Sequence, residues 1–562
     1  MSPSFSIGWT TVQPATPAHH PVLDNQDILA VIFSNLHPTD PRSSHRGDLV
    51  AGRIQLRNLA AVCKSFRDPA LDRLWVSLDS LLPLIKILPN LKVIDNAYYY
   101  HDSIAKESKF RCYASKVRVL DLRPVSNGSS SAPAISPHLY TLIAKEMDGK
   151  TLFPNLRKLS INTSGNPSSD FLSLSLVLSP RLPSVAFSGD GLTSPFFTDH
   201  CFPLVSRQLR SSLKCLALKN TSRATPSSVF NGVLQFATLE SLELLLPDSN
   251  SVNPSALVKL GQTLKKLSSL TLDLHFQSHR FTQQVSSADG AGEDSFLELK
   301  SLHAINRTSN QLCECIPAFL RAKMTHLTMV LGDIPSDDYF KTLAETLEKI
   351  PSLKRIDLTE TAGQVCTVSR AAALTPLLRL PLVEFRVDFT NINWNQDAVT
   401  PLINSAFTHR PPASTLLSLG LPWKSTGSYS SSLWCLSYTA EKAPGLKELS
   451  LGLQSNSNSS TSGWTRPRFA TIQSLLAHWK AASPSKSQLR YLAISEQKQL
   501  SQFNAEQYND IAQLLDLMFP SLVSVGPYSE ADRTAPYWKD HWWFIEHLRK
   551  MYKELRVLRR SN

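Results

Sequence analysis

The sequence predicts an α/β fold in which a short helical module precedes a long array of strand-and-helix repeats. Three observations carry that reading. A six-residue pattern, apolar-x-x-apolar-x-apolar, recurs thirteen times between Val117 and Ile494. The segments between copies space their apolar residues at the three-to-four step of a helix rather than the alternation of a strand. Residues 22–88 show helical spacing and no copy of the pattern. With 562 residues, 42% hydrophobic and 19% charged, the chain can bury a large core and does not have the composition of a disordered protein.

Residues 1–20 have neither a basic start nor an apolar run, so they are expected to be a disordered tail rather than a secretory signal. The longest apolar stretch, around Phe171–Leu178, is too short to span a membrane and is broken by serines. Eight cysteines in this length are too dilute for a disulfide scaffold. Together these features point to the cytoplasm or nucleus and to no membrane association.

Residues 21–90 read as a compact helical module. Ile28, Leu29, Ile32, Phe33 and Leu36 make one helical stripe with Asp24 as its cap, and a polar insertion, His37–Gly52, follows. A second stripe runs through Leu56, Leu59, Ala60, Cys63 and Phe66. Asp68-Pro69 has the form of a helix start, a cap and then a first-turn proline, leading into Leu71, Leu74 and Trp75. So few short helices enclose too little apolar surface to be strongly stable alone.

Leu23, Ile28, Leu29, Ile32, Phe33 and Leu36 in the first half, with Leu59, Val62, Cys63, Phe66, Leu74 and Trp75 in the second, give this segment its resemblance to an F-box. An F-box is the adaptor-binding module of cullin–RING ubiquitin ligases. The segment departs from the usual pattern in having Leu23-Asp24-Asn25-Gln26 in place of the opening proline and glutamate, in its long loop after Leu36, and in Phe66 where a tryptophan is common. The resemblance implies that Leu23, Ile28, Ile32, Phe33, Val62, Cys63 and Trp75 lie at a Skp-family adaptor and, through it, a cullin.

Residues 91–535 hold the repeats. From residue 156 onward successive copies start 25 to 43 residues apart, most of them close to the range of leucine-rich repeats. In each copy the last two apolar residues share one face of a strand while the residue between them points the other way. Helical spacing follows in 336–350, with Ser336 as cap and Asp337 and Asp338 in the first turn, and likewise in 254–264 and 511–519. Strand and helix repeated in one direction give a solenoid, a horseshoe with a parallel sheet inside and helices outside. The asparagine that closes the turn in regular leucine-rich repeats is mostly missing, which makes the repeats similar to the irregular ones of fungal F-box proteins. Serine-rich stretches at 126–133, 278–294 and 454–463 are expected to be loops. Residues 536–562, with Trp538, Trp542, Leu548 and Tyr552 at helical spacing and six Arg or Lys after Leu548, are expected to be a capping helix whose basic face stays in water.

No phosphate-binding glycine loop, His-Glu-x-x-His or nucleophile-elbow serine is present, so an enzyme is not expected. Cys313 and Cys315 are too closely spaced for a zinc pair, and His19-His20 sits in the tail, so neither a metal nor any other cofactor is expected. The formal charge of +12 raises the question of nucleic acid. The residues between the paired apolar positions include three acids and one arginine, whereas a phosphate-binding surface would be lined with Lys and Arg. On that inner stripe Asp121, Glu243, His303, Asp357 and Arg386, with Asp273 and Asp388 two positions further along their strands, are the candidates for binding a protein substrate. The resulting expectation is a non-catalytic substrate-recognition subunit of a ubiquitin ligase. The alternative is a leucine-rich-repeat binding scaffold with no ligase role.

Overall fold

The computed structural model describes residues 25–36, 46–100, 109–123, 133–147, 149–163, 173–220, 227–246, 254–274, 296–306, 323–332, 336–361, 363–394, 399–407, 416–426, 433–453, 471–496 and 504–561. By its contacts the chain divides into two units, Met1–Gly191 and Leu192–Asn562. The expected tail, Leu23, Asp24, Cys313, Cys315 and all but Pro133 of the serine-rich stretches lie outside the described residues.

The first unit opens with three helices, α1 (Gln26–Ser34), α2 (Arg46–Val62) and α3 (Lys64–Trp75). Asn25, not Asp24, caps α1: its Oδ1 accepts from the backbone N–H groups of Asp27 (3.0 Å) and Ile28 (3.2 Å). α2 begins inside the segment expected to be a polar insertion. Gly47 and Gly52 cost a helix interior only about 1 kcal/mol each, and burial of Leu56 further along the helix offsets part of that. α3 starts at Lys64, one turn before the Asp68-Pro69 pair, so Pro69 lies inside the helix. Proline there removes one helical hydrogen bond. Leu29, Phe33, Leu56 and Ala70 form the buried core of the three helices, with Phe33 edge-on to Phe66 at 5.5 Å.

Four strands of the first unit run parallel and pair in chain order: β1 (Ser77–Leu78), β2 (Val119–Leu122), β3 (Lys158–Thr163) and β4 (Ser184–Gly189). α3 runs into β1 with only Val76 between them, so the parallel sheet starts within the 21–90 span. A hairpin of Lys92–Ile94 and Ala97–Tyr99 flanks it. Its two-residue turn, Asp95-Asn96, has positive φ at both residues (47° and 57°), the conformation that matches the twist of hairpin strands.

The second unit continues the same rule with eleven parallel strands, each paired with the next. They are β5 (Cys215–Lys219), β6 (Ser241–Leu246), β7 (Ser269–Leu274), β8 (Ser301–Asn306), β9 (His326–Leu331), β10 (Arg355–Glu360), β11 (Glu384–Asp388), β12 (Ser418–Gly420), β13 (Glu448–Leu453), β14 (Tyr491–Glu496) and β15 (Ser524–Pro527). All thirteen copies of the sequence pattern are strands, each starting two residues after the first apolar position. The register aligns the copies position by position: Leu242 pairs with Leu270 and Leu270 with Leu302, and Leu244 with Leu272 and Leu272 with Ala304. All of these are buried, as are the first-position residues Leu239, Leu267 and Leu299. Each such burial is worth roughly 1.5–3 kcal/mol, and it is completed only by the neighbouring repeat, so the array is stable as a stack rather than repeat by repeat.

Two strands, β1 and β15, escape the sequence pattern. Their six-residue windows, Trp75–Ser80 and Leu522–Pro527, lack the last apolar residue. The neighbouring repeat supplies what the side chain does not: Val119 N–H donates to Val76 O at 2.9 Å, and Val523 N–H to Arg490 O at 2.8 Å.

Helices follow the strands as the spacing predicts. Ser336 caps Asp337–Leu347 by accepting from Tyr339 N–H at 3.2 Å, and Tyr339, Phe340, Leu343 and Leu347 are buried. The helix expected from Ile511 starts at Ala505, because Asn504 and Gln507 form a reciprocal capping box (2.8 and 3.0 Å). Where the turn-closing asparagine is missing, other groups act. Glu360 Oε2 accepts from the N–H groups of Cys366 (2.8 Å) and Thr390 (3.0 Å), joining two repeats.

The C-terminal helix α4 (Trp543–Ser561) corrects one expectation. Its basic side chains do not all stay wet. Arg549 is fully buried; its Nη1 and Nη2 donate to the carbonyls of Leu522 (3.1 Å) and Val523 (3.2 Å), and it forms a two-point ion pair with Glu546 (2.6 and 2.8 Å). Lys553 donates to Leu522 O (3.0 Å) and Arg556 to Asp516 O (3.0 Å) and Pro520 O (2.9 Å). The carbonyls around the 520–523 turn are exposed by the end of the preceding helix, and cations are the side chains that satisfy them. Among the described residues no helix is long and apolar enough to cross a membrane.

Candidate functional site

Two regions carry the candidate residues, one in each unit. In the first unit, α1 is apolar nearly all round. Leu29 and Phe33 turn into the core, while Ile28, Val31 and Ile32 are left 38%, 65% and 46% exposed. On α2, Val50, Ile54 and Val62 are exposed as well. Large aliphatics are left uncovered because a core of four buried residues cannot enclose a second face on each helix. The helices are held together by polar ties: Arg73 Nη2 donates to Ser34 O (3.1 Å) at the end of α1, and Gln26 Nε2 donates to Ser65 O (3.2 Å).

Of the residues assigned to the adaptor from the sequence, Ile28, Ile32, Val62 and Cys63 lie at this surface. Phe33 does not. It is buried against Phe66, because position 33 shares the inward face with Leu29 one turn earlier, so its assignment to a partner surface is corrected to the module's own core. Trp75 is half-buried and stacks on Tyr113 at 4.7 Å. Leu23 lies outside the described residues. Val31, Val50 and Ile54 were missed. For Val31 the signal was present in the segment after Asp27, which has no charged residue before Ser34 and therefore cannot be amphipathic in the ordinary sense.

In the second unit the inner stripe is a true structural row. Glu243, Thr271, His303, Thr328, Asp357, Arg386 and Gly420 pair in register from β6 to β12. Asp273 and Asp388 follow two residues further along β7 and β11; Asp273 is buried, Asp388 partly open. Asp121 belongs to the first unit, where it pairs with Arg123 at 2.7 Å.

Most of the row's charge is met on the sheet itself. Lys219 pairs with Glu243 at 2.5 Å. Arg355 joins Asp357 on its own strand (2.6 Å) to Glu384 on the next (2.9 Å). Arg386 pairs with Asp388 at 3.2 Å and lies across Gly420, where a Cβ would stand 2.8 Å from its Cγ. Tyr528, just past β15, donates to Asp388 at 3.2 Å. Burial, followed by the negative charge of Asp388, holds the Tyr528 hydroxyl well above the ordinary range, so it stays a donor.

His303 differs from the rest. Burial lowers its pKa, with Glu243 and Asp357, each two strands away, acting in the opposite direction. Its buried Nε2 has no hydrogen-bond partner among the described residues. A neutral imidazole therefore sits between Thr271 and Thr328 in the row, with the carboxylates of Glu243 and Asp357 beyond them. Such a row can hold a polar peptide surface by hydrogen bonds. Lys219, Arg355 and Glu384 were missed in the sequence, although Arg355 and Glu384 each sit two residues along a strand from a named candidate, Asp357 and Arg386, the period at which side chains share a face.

No family model matches the chain, and no curated protein matches it. Among solved structures, the crystal structure of the Rad7 and Elc1 complex in yeast is similar to it over 78% of this chain and 92% of that one, at 16% identity and a TM-score of 0.35. At that level the likeness assigns no function. The repeat architecture stands on the fifteen parallel strands of the main sheet among this chain's described residues.

Proposed function

We propose that the chain is a non-catalytic substrate-recognition subunit of a cullin–RING ubiquitin ligase, working in the cytoplasm or nucleus. In this reading α1 and α2 bind a Skp-family adaptor and the open row of the second unit takes a protein substrate. One observation carries it: six large aliphatics, Ile28, Val31, Ile32, Val50, Ile54 and Val62, are exposed on a helical unit whose core, among the described residues, buries four side chains. Their burial by a partner is the main favourable term open to such a unit. The protein would then contribute placement, bringing an acceptor lysine near the activated ubiquitin and raising its effective concentration.

The test is co-purification of the full chain with a Skp-family adaptor. The unaltered chain is expected to capture it, and Val31→Asp with Ile32→Asp to lose capture with no change in thermal unfolding. Absence of capture by the folded chain, or equal capture by the variant, rejects the proposal.

A second reading, a binding scaffold whose helices only cap the sheet, is favoured by the absence of a linker between α3 and β1 and by the ion pairs Arg53–Asp79 (2.8 Å) and Lys116–Asp72. It predicts no adaptor binding and a loss of sheet stability when α1–α3 are disrupted.

A further inference from the structure

The second unit carries its own uncovered apolar surface, and it lies on α4. Phe544, Met551, Leu555 and Leu558 are 44%, 46%, 44% and 61% exposed, and Leu548, half-buried, completes the series. Their spacing is four, three, four, three, the repeat of a coiled-coil seam. The ridge is not the loose side of a detached helix. Arg549, Lys553 and Arg556 anchor the opposite face of α4 to the carbonyls of Asp516, Pro520, Leu522 and Val523.

We propose that this ridge is a homodimer seam, occupied by α4 of a second copy of the chain running antiparallel. The argument is self-complementarity. A two-fold axis at Met551 sets Phe544 opposite Leu558 of the second copy and Met551 against Met551, while Leu548 and Leu555 of the second copy, three and four residues from the axis, meet within one residue's rise of about 1.5 Å. On one flank of the seam lie His547 and Glu554, both exposed. His547 and Glu554 lie four and three residues from that axis, so His547 comes within one residue's rise of Glu554 of the second copy, and symmetry makes that pair twice. An anionic lipid surface fits less well, because the three cations that would meet it point into the protein. On the outer face Lys550 is paired with Glu546 at 3.6 Å and exposed Glu554 adds a negative charge, an unfavourable arrangement for an anionic surface. The seam spans about two heptads, so the association is reversible and depends on concentration.

The experiment is sedimentation velocity of the full chain over a dilution series. The unaltered protein is expected to move from the 62.4 kDa monomer toward twice that mass as concentration rises. Met551→Glu with Leu555→Glu is expected to remain monomeric at the highest concentration with the same thermal unfolding, since both residues face away from the body of the protein. Glu554→Lys alone is expected to weaken association roughly threefold, and His547→Glu added to it to restore association by exchanging the pair. The proposal is overturned if the unaltered chain stays monomeric throughout, or if the double glutamate variant dimerises equally. It is also overturned if the ridge instead binds vesicles of phosphatidylserine and phosphatidylcholine and the variant does not.

Discussion

The side-chain amide of Gln26 donates to the carbonyl of Ser65 at 3.2 Å, the carbonyl that the residue at position 69 would have served had it not been proline. The first helix thus repairs the hydrogen bond that Pro69 removes from the third. Gln26→Ala is expected to cost about 0.5–1.5 kcal/mol, read as faster amide hydrogen exchange in α1 and α3. Pro69→Ala, which restores the backbone donor, should make the Gln26 substitution close to neutral. Equal costs in both backgrounds would show that the two are not coupled.

Neighbouring positions on α1 are expected to respond in opposite ways. Phe33→Ala empties a buried ring site beside Phe66 and should cost about 3–5 kcal/mol, enough to unfold the helical module by circular dichroism and proteolysis. Ile32→Asp alters a surface position and should change stability by less than about 0.5 kcal/mol.

At the other end of the chain, Arg549→Met takes the two-point partner from the buried Glu546 carboxylate, leaving it Lys550 at 3.6 Å, and removes the donor to Val523 O, while Leu522 O keeps Lys553. A loss of about 3–5 kcal/mol is expected by chemical denaturation. Adding Glu546→Leu removes the stranded charge, so the double variant should recover a substantial part of that loss.

His303 makes stability depend on pH in a defined sense. Its folded pKa lies below the unfolded value of 6.5, so the unfolded chain takes up the proton first as pH falls. Stability attributable to the neutral ring is complete above about pH 6.5 and is lost below it. His303→Gln is expected to flatten the slope of unfolding free energy between pH 6.5 and 5, while leaving the value at pH 8 nearly unchanged. An identical slope in the variant would place the acid sensitivity elsewhere.

The cysteines should sort by burial. Burial pushes the thiols of Cys201 and Cys435 up to about 12, and the thiolate is the reactive form. In the folded protein at pH 8, iodoacetamide is expected to label the exposed Cys63 and Cys112 and to spare Cys201 and Cys435 until denaturant is added, as read by mass spectrometry.

The legible part of this protein is its repetition. Leu239, Leu242 and Leu244 announce a strand because the same three positions recur in twelve other places, and each must be buried by the next copy. β1 and β15 were not legible, because Ser80 and Pro527 stand where the last apolar residue belongs and the backbone of the adjoining strand supplies the pairing instead. In the helical module the stripe Ile28, Leu29, Ile32, Phe33 and Leu36 was legible as helix, but not which half would face inward, since all five are equally apolar.

Sequence alone determined the periodic architecture, the helical front module and the row from Glu243 to Arg386, because each follows from a spacing that one short segment already contains. Tertiary structure alone decided that Phe33 is core while Ile32 is surface, that Tyr528 meets Asp388 from 140 positions away, and that Arg549 turns inward rather than into water. Those outcomes depend on which distant groups arrive beside a side chain, and burial or pairing energy is a property of both partners, so no local pattern can carry it.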